Sequence, residues 1–185
     1  MTEALKKTII KIAKEAIKEE FTGKHTIDKE SLIKEFPELA KNGAAFVTLT
    51  EHNALRGCIG SIIAHQPLID DIIHNAKAAA FSDPRFAPVS EEEFDELEIE
   101  VSLLSEPRPL AYTDTEDLRT KIRPGIDGVI LKLDGYQATY LPSVWEQLPD
   151  FNTFFMTLCQ KAGLPANCLD AHPDIYIYQA EKITG

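Results

Sequence analysis

The sequence predicts an α+β fold, with a mostly antiparallel or mixed sheet flanked by helices. Two hairpins are indicated, one with its turn at 51–53 and one with its turn at Asp134-Gly135, and short turns of this kind join antiparallel strands. Helical and strand-like segments alternate without the regular strand-helix-strand rhythm of a parallel sheet. With 185 residues, the chain suits a single domain with room for a smaller subdomain.

The first forty residues carry helical patterns. Apolar residues recur at helical spacing from about Thr2 to Phe21, and lysines and glutamates occupy the opposite, solvated face. Asp28 is in position to cap a short second helix. Pro37 ends that helix, because a proline disfavours helical backbone in the residue before it.

A hairpin and a third helix follow. Residues 44–50 are strand-like in composition, and the polar turn at 51–53 connects them to a second strand that runs to about Ile63. Pro67 is predicted as the first residue of a helix with an apolar face, which stops near Phe81.

The middle of the chain holds a capping signal and the clearest strand pattern. Ser90 and Glu93 have capping-box spacing for a short helix. Apolar and polar residues then alternate from Leu97 to Leu103, so one face of this strand is predicted to be buried. Glu98 and Glu100 lie on the other face, either as solvated residues or as two carboxylates that line a cleft.

The last third of the chain shows the same kinds of signal. Thr113 and Glu116 have capping-box spacing for a helix to about Ile122, and Asp134-Gly135 is a strong hairpin turn. The other predicted elements are strands at 129–133 and 136–141, helices at 143–146 and 151–162, and a closing strand at 174–178.

The charge of the chain excludes some classes of partner. The formal net charge is -11 and the pI is about 4.9, and no cluster of basic residues is expected, so we predict neither nucleic acid nor a membrane as a partner. The sequence has neither the apolar core of a signal peptide nor an apolar run long enough to span a bilayer. These features predict a cytoplasmic protein.

Three cysteines without a Cys-x-x-Cys pair predict free thiols and argue against a disulfide framework or a zinc knuckle. Cys159 falls on the apolar stripe of the helix at 151–162 and is expected to be a small core residue. Further metal donors occur at His52, Glu98 and Glu100, but no pair of donors has ligand spacing. No metal site is therefore predicted.

The stretch Leu55-Arg56-Gly57-Cys58-Ile59-Gly60 is the candidate functional motif, because it places a charge and a thiol between glycines in an apolar neighbourhood. Within a strand, Arg56 and Cys58 share one face. A guanidinium beside a thiol lowers the pKa of the thiol and favours the reactive thiolate. Glycines inside a strand mark a bulge or the close approach of a ligand or another backbone. The familiar nucleotide-binding, hydrolase and zinc-protease signatures are absent, so no reaction is specified.

With this motif as its hallmark, the chain resembles the AMMECR family, named after a human chromosomal region linked to Alport syndrome, midface hypoplasia and elliptocytosis. The resemblance runs in order from about Ala44 to Leu164, and the tail beyond Pro165 departs from it. Besides the hallmark, it rests on Phe46-Val47-Thr48-Leu49, Asn75-Ala76, Ala79-Ala80-Phe81, Asp83-Pro84-Arg85-Phe86, Ile99-Glu100-Val101-Ser102, Gly125, Asp127-Gly128, Leu141-Pro142-Ser143-Val144-Trp145 and Lys161-Ala162-Gly163-Leu164.

The resemblance implies a compact α+β fold in two unequal parts, with the hallmark motif near a groove between them. The activity of the family is largely uncharacterised, and its cofactor is unknown. Bacterial and archaeal relatives are often encoded beside, or fused to, a Memo-type protein and a radical S-adenosylmethionine enzyme. Either protein is therefore an expected partner, on the basis of association alone.

One hypothesis is a cysteine-dependent enzyme that acts on a small anionic substrate. Cys58 is then the catalytic nucleophile, and Arg56 and Arg85 lower its pKa and bind the anionic group. Glu98 or Glu100 acts as the acid or base.

The position of the histidines leaves this hypothesis open. His52 lies across the predicted hairpin and His74 lies on the following helix, so either is a candidate base and neither is obliged to pair with Cys58. The alternative is a buried packing thiol whose glycines serve the turn.

The other hypothesis is a ligand- or partner-binding adaptor without catalysis, for which arginine suits two-point contacts to a carboxylate or a phosphate. Asp83 and Arg85 alternatively pair only with each other and brace their loop. Trp145 and Tyr140 either line the groove or belong to the core. The predicted ligand-binding residues are Arg56, Gly57, Gly60, Asp83, Arg85 and Glu100.

Overall fold

A computed structural model describes all residues from 1 to 185 and confirms the α+β class. The helices are α1 (Glu3–Thr22), α2 (Lys29–Glu35), α3 (Leu68–Phe81), α4 (Glu91–Phe94), α5 (Thr115–Lys121), α6 (Val144–Gln147) and α7 (Phe151–Lys161). The strands are β1 (Ala44–Glu51), β2 (Ala54–Gly60), β3 (Leu97–Leu104), β4 (Arg108–Pro109), β5 (Gly128–Leu133), β6 (Tyr136–Tyr140), β7 (Asp174–Tyr178) and β8 (Ala180–Thr184). Short 3-10 helices lie at Pro37–Ala40 and Cys168–Ala171. None of the helices is both long enough and apolar enough to cross a membrane.

The chain forms two compact units. Unit 1 comprises Met1–Leu104 and Glu181–Gly185, and unit 2 comprises Ser105–Ala180. Each unit has one four-stranded sheet, with strand order β2-β1-β3-β8 in unit 1 and β4-β7-β5-β6 in unit 2. Each unit also has an apolar core of its own.

In unit 1, the helices α1 and α3 cover one face of the sheet. β1 pairs antiparallel with β2 on one side and with β3 on the other. Val47 and Leu49 of β1 are completely buried in the core that these two helices share with the sheet. Because side chains alternate along a strand, Thr48 lies on the opposite face, which we call the outer face.

A buried polar network fixes the start of α3 against β1. The carboxylate of Asp71, which is fully buried, accepts hydrogen bonds from the Ala45 N–H at 2.8 Å, the Ser61 hydroxyl at 2.7 Å and the Gln66 amide at 3.0 Å. The amide of Asn75 donates to the Ala45 carbonyl and to Asp71, over 3.0 and 3.1 Å. Every partner is a hydrogen-bond donor to this carboxylate, so its burial is compensated.

Both predicted hairpin turns are confirmed. His52 and Asn53 have φ values of 50° and 65°, and Asp134 and Gly135 have values of 51° and 84°. Two successive residues with positive φ twist the backbone in the sense that two-residue hairpins require.

One of the two predicted capping boxes is confirmed. Ser90 and Glu93 form the complete box at α4. The box predicted to start at Thr113 is wrong by one residue, because the carboxylate of Asp114 caps α5 and accepts the N–H of Asp117. A charged carboxylate one position along takes the place of the threonine hydroxyl.

Strand β8 was not predicted from the sequence. Ile183 is its one fully apolar buried position, because Glu181, Lys182 and Thr184 are exposed. So short a segment gives too few alternations for a period-two signal.

In unit 2, aromatic side chains pack around α7. Trp145 stacks on Phe154 with ring centroids 3.6 Å apart, and its indole N–H donates to the Asp127 carbonyl. Tyr140 meets Phe154 edge-on. Trp145 and Tyr140 therefore belong to the core of unit 2, which was one of the two interpretations of their positions.

The prediction of three free thiols is wrong, because Cys159 and Cys168 form a disulfide. α7 ends at Lys161, and Gly163, with φ of 83°, turns the chain back so that the two cysteine Cα atoms lie 5.8 Å apart. Cys159 is completely buried, as expected. Cys58 is the free cysteine.

Candidate functional site

The candidate site is centred on Cys58 in β2. A register shift between Leu49 and Thr50 of β1 leaves Arg56 of β2 without a partner residue, which makes it a β-bulge. The bulge shifts the pairing of β2 with β1 by one residue, and such a shift exchanges the faces on which the following side chains lie. Cys58 therefore lies opposite Thr48 on the outer face.

Polar side chains form a row across the outer face. The Sγ atom of Cys58 lies 3.3 Å from Oγ1 of Thr48, in a hydrogen bond that either atom can donate. Glu100 of β3 lies directly opposite Thr48, and its carboxylate is 3.9 Å from Nζ of Lys182 in β8. A thiol and a carboxylate thus flank one hydroxyl.

The glycines of the motif serve close packing on both faces. A Cβ atom on Gly57 would lie 2.1 Å from the backbone oxygen of Ala79 in α3, and a Cβ on Gly60 would lie 2.2 Å from the ring of Phe46. Gly57 is thus placed against α3 on the core side. Gly60 makes room for an aromatic ring next to Cys58 on the outer face.

The loop that contains Asp83 and Arg85 lies along the edge of β2, the end strand of its sheet. The Cys58 N–H donates to Oδ2 of Asp83 over 3.0 Å, and Nη2 of Arg85 donates to the Cys58 carbonyl over 3.4 Å. The Asp83 side chain is 2% exposed and also accepts Nε and Nη2 of Arg85, over 3.0 and 2.8 Å. The pairing of Asp83 with Arg85 is therefore confirmed, but the two residues do not pair only with each other, because both also bond to the backbone of Cys58.

These contacts determine the charges around the thiol. Hydrogen bonds from Arg85 hold the pKa of the Asp83 carboxyl well below its usual range, and the same pairing raises the pKa of Arg85. Burial raises the pKa of the Cys58 thiol, although the hydrogen bond from Thr48 and the charge of Arg85 act in the opposite direction. The net effect raises the pKa of the thiol, which favours its protonated form.

The prediction that Arg56 acts on Cys58 is wrong. Its Nε and Nη2 atoms donate to the Glu93 carboxylate over 2.7 and 3.3 Å, and Glu51 lies 3.9 Å away. Hydrogen bonds from Arg56 lower the pKa of Glu93 to about 2. A regular strand would place Arg56 on the same face as the thiol, but the bulge interrupts the alternation of side chains at Arg56. Arg56 therefore pairs with a carboxylate from α4.

The other candidate residues lie apart from the thiol. His52 is exposed in the hairpin turn and His74 is exposed on α3, and neither forms a hydrogen bond with Cys58. Glu98 is exposed opposite Thr50 on the outer face. No group of three or more histidine, cysteine, aspartate or glutamate side chains is arranged to hold a metal ion.

Two residues of the site were missed from the sequence. Thr48 is found only once the strand register, including the bulge at Arg56, is known. Glu93 stands in a run of three glutamates, and nothing in the sequence selects it as the partner of Arg56.

Comparison with known proteins gives consistent matches. The sequence profile of the AMMECR1 family matches residues 10–183, so the match includes the tail beyond Pro165. A protein of Methanothermobacter thermautotrophicus is 38% identical over 178 residues, which cover 95% of this chain and 91% of that protein. A protein of Saccharolobus solfataricus is 40% identical over 175 residues, which cover 91% of this chain and 75% of that protein. The crystal structure of an uncharacterized protein from Pyrococcus horikoshii matches with a TM-score of 0.87 and 36% identity, over 98% of this chain and 92% of that one.

Proposed function

The chain belongs to the AMMECR1 family, and we propose that its surface around Cys58 binds a small anionic ligand through Arg85. The observation that carries this proposal is the state of the Arg85 side chain, which is 55% exposed although the buried Asp83 holds two of its nitrogens. An arginine that is already fixed in place loses little conformational entropy when it binds a ligand. Its planar group suits carboxylates and phosphates.

The donors of Arg85 are only partly used within the protein. Its Nε and Nη2 atoms donate to Asp83 and to the Cys58 carbonyl, whereas Nη1 has no hydrogen-bond partner. The Cys58 thiol and the Thr48 hydroxyl use one of their two hydrogens in the bond between them, so the other hydrogen is able to donate to an anion. A protonated thiol suits this role, because a thiolate would repel the ligand.

Binding is tested by thermal shift with a set of small carboxylates and phosphate monoesters. Arg85→Lys keeps the positive charge that Asp83 requires but loses the two-point geometry. Arg108→Lys, at an exposed position of β4, is the matched control. We expect at least one compound to raise the melting temperature of the wild type and of the control, with a much smaller shift in Arg85→Lys. The proposal fails if no compound shifts the wild type, or if Arg85→Lys responds as the wild type does.

A second candidate is a cysteine-dependent enzyme, and the row of Cys58, Thr48 and Glu100 favours it. The Thr48 hydroxyl lies between the thiol and the strand position of the carboxylate. In such an enzyme, Sγ adds to the carbonyl carbon of a substrate, the electron pair of the carbonyl π bond moves to the carbonyl oxygen, and the thiol proton passes toward Glu100.

The pH dependence of Cys58 alkylation by iodoacetamide separates the two candidates. A raised thiol pKa predicts slow alkylation at pH 7 that accelerates only in alkaline solution, which agrees with the binding proposal. Thr48→Val removes a contact that lowers the thiol pKa, so its rate profile moves to higher pH. Glu100→Gln removes a charge that raises the thiol pKa, so its profile moves to lower pH. Fast alkylation at pH 7 in the wild type would instead favour the enzyme.

The partners enter the proposal through the family resemblance alone, and the location enters it through the prediction from the sequence. The proposed partners are a Memo-type protein and a radical S-adenosylmethionine protein, and the proposed location is the cytoplasm. Co-elution of purified Memo-type protein with this chain in size-exclusion chromatography tests the first partner, and separate elution at micromolar concentrations of both proteins counts against it.

A further inference from the structure

Unit 1 contains a cleft that lies apart from the Cys58 site, between the first turns of α1 and strand β8. Its volume is about 570 Å³, within the range of small-molecule sites. Two glutamates line it, together with five lysines. The lysines are Lys6, Lys7, Lys11, Lys14 and Lys182. In a chain with a net charge of -11, so strong a local excess of positive charge was not expected from the sequence.

Three of the five lysines have no counter-ion in the protein. Lys6 and Lys182 lie 3.5 to 3.9 Å from neighbouring glutamate carboxylates. Lys7, Lys11 and Lys14 are exposed and form no ion pair. Their charges are therefore available to a ligand.

The placement of these charges opposes the stability of α1. Lys7, Lys11, Lys14 and Lys18 follow one another at spacings of three and four residues, so neighbouring charges on one helix face repel. A bound anion would relieve this repulsion.

We propose that this cleft binds a small molecule that carries several phosphate groups, such as a nucleoside triphosphate or an inorganic polyphosphate. Each phosphate oxygen accepts hydrogen bonds from lysine ammonium groups, which act as mobile point charges. Ile10 and Ile183 form an apolar part of the wall, which suits the base of a nucleotide. The concave surface favours a small molecule over a nucleic-acid duplex or a bilayer, both of which need an extended face.

The test is isothermal titration calorimetry of the full chain with tripolyphosphate and with ATP at low ionic strength. The cleft variant is Lys7→Gln/Lys11→Gln/Lys14→Gln. The control Lys24→Gln/Lys34→Gln/Lys41→Gln removes the same charge from exposed lysines of unit 1 outside the cleft. We expect both compounds to bind the wild type and the control equally, and to bind the cleft variant about tenfold more weakly. Tighter binding of ATP than of tripolyphosphate assigns a nucleotide, and equal binding assigns the phosphate chain alone.

Other results overturn the proposal. One is the absence of binding by both compounds to the wild type, and another is equal weakening in the two triple variants. A third is tighter binding of duplex DNA or of phosphatidylserine vesicles than of either compound at the same ionic strength. Because glutamine keeps helix propensity and removes repulsion, the cleft variant should melt no lower than the wild type, which shows that it is folded. The result does not depend on the Cys58 site.

Discussion

At the scale of single residues, Gly57 is the point of closest approach between β2 and α3. A Cβ atom there would meet the backbone of Ala79, which cannot move without moving the helix. Gly43 offers a comparison, because a Cβ there would meet Cδ1 of Leu68 at 2.9 Å and Cβ of Leu68 at 3.1 Å. The δ carbon can turn aside, and the contact with Cβ requires a shift of only a few tenths of an ångström.

We expect Gly57→Ala to lower the free energy of unfolding by about 3 kcal/mol, since an overpacked backbone contact is not easily relieved. Gly43→Ala should lower it by about 1 kcal/mol or less. Urea denaturation of the two variants and the wild type measures both values. Equal losses would show that Gly57 is not special to the packing of α3.

The ion pair of Arg56 and Glu93 makes stability depend on pH. The pKa of Glu93 is lowered to about 2 by hydrogen bonds from Arg56, so its stabilising effect is complete above the ordinary glutamate pKa and is lost as the pH falls toward 2. We expect Glu93→Gln to be less stable than the wild type by about 1 kcal/mol at pH 7, allowing for solvent screening of a partly exposed pair. The difference should shrink between pH 5 and pH 3 in denaturation experiments. A difference that stays constant over this range would mean that the pair contributes no net charge interaction.

At the scale of whole elements, the attachment of α3 to β1 depends on one carboxylate. Asp71 is fully buried and accepts from four donor groups, whereas its neighbour Asp70 is partly exposed and pairs with Lys29 over 2.7 Å. Two adjacent aspartates on one helix thus differ in burial and in the kind of partner that they bind.

We expect Asp71→Asn to lower the free energy of unfolding by about 3 kcal/mol, because an amide nitrogen would face buried donors. Asp70→Asn should change it by less than about 1 kcal/mol, as for other surface pairs. Thermal and urea denaturation of the two variants check this contrast. Similar effects in both would imply that water enters the Asp71 network.

The sequence predicts elements better than it predicts their register. Local signals sufficed for the turn at Asp134-Gly135 and for the cap at Ser90, because a few neighbouring residues decide them. The bulge at Arg56 depends on how two strands and α4 pack together, and no local pattern encodes it. The shift of Arg56 from the thiol to Glu93 follows from that bulge.

The same limit applies to the candidate site. The pairing of Asp83 with Arg85 was predictable, since the two residues are close in sequence. The contacts of Cys58 with Thr48 and Asp83 join residues 10 and 25 positions apart, so they require the folded sheet and the loop at its edge.

At the scale of the molecule, the two units have separate cores, so reduction of the disulfide is expected to affect their stability differently. The Cys159–Cys168 disulfide lies within the core of unit 2, and unit 1 contains only the free Cys58. Closing a loop of this length stabilises a fold by about 2 to 3 kcal/mol.

We therefore expect reduction, or the variant Cys159→Ala/Cys168→Ala, to speed amide hydrogen exchange in unit 2 and to leave exchange in unit 1 unchanged. Cys58→Ser is the control, because it removes a thiol and keeps the disulfide. Titration of thiols in denaturant without reductant should detect Cys58 alone. Detection of all the cysteines as free thiols would contradict the pairing.

The position of β2 at the end of its sheet also affects how readily copies of the protein aggregate. An end strand exposes backbone groups onto which a strand of another molecule can add, and such additions propagate into aggregates. At Cys58 these backbone groups are already used, because Asp83 accepts the N–H and Arg85 donates to the carbonyl. The loop that positions the thiol therefore also hinders strand pairing between molecules. A chain without the contacts of this loop is expected to lose solubility before it loses its fold.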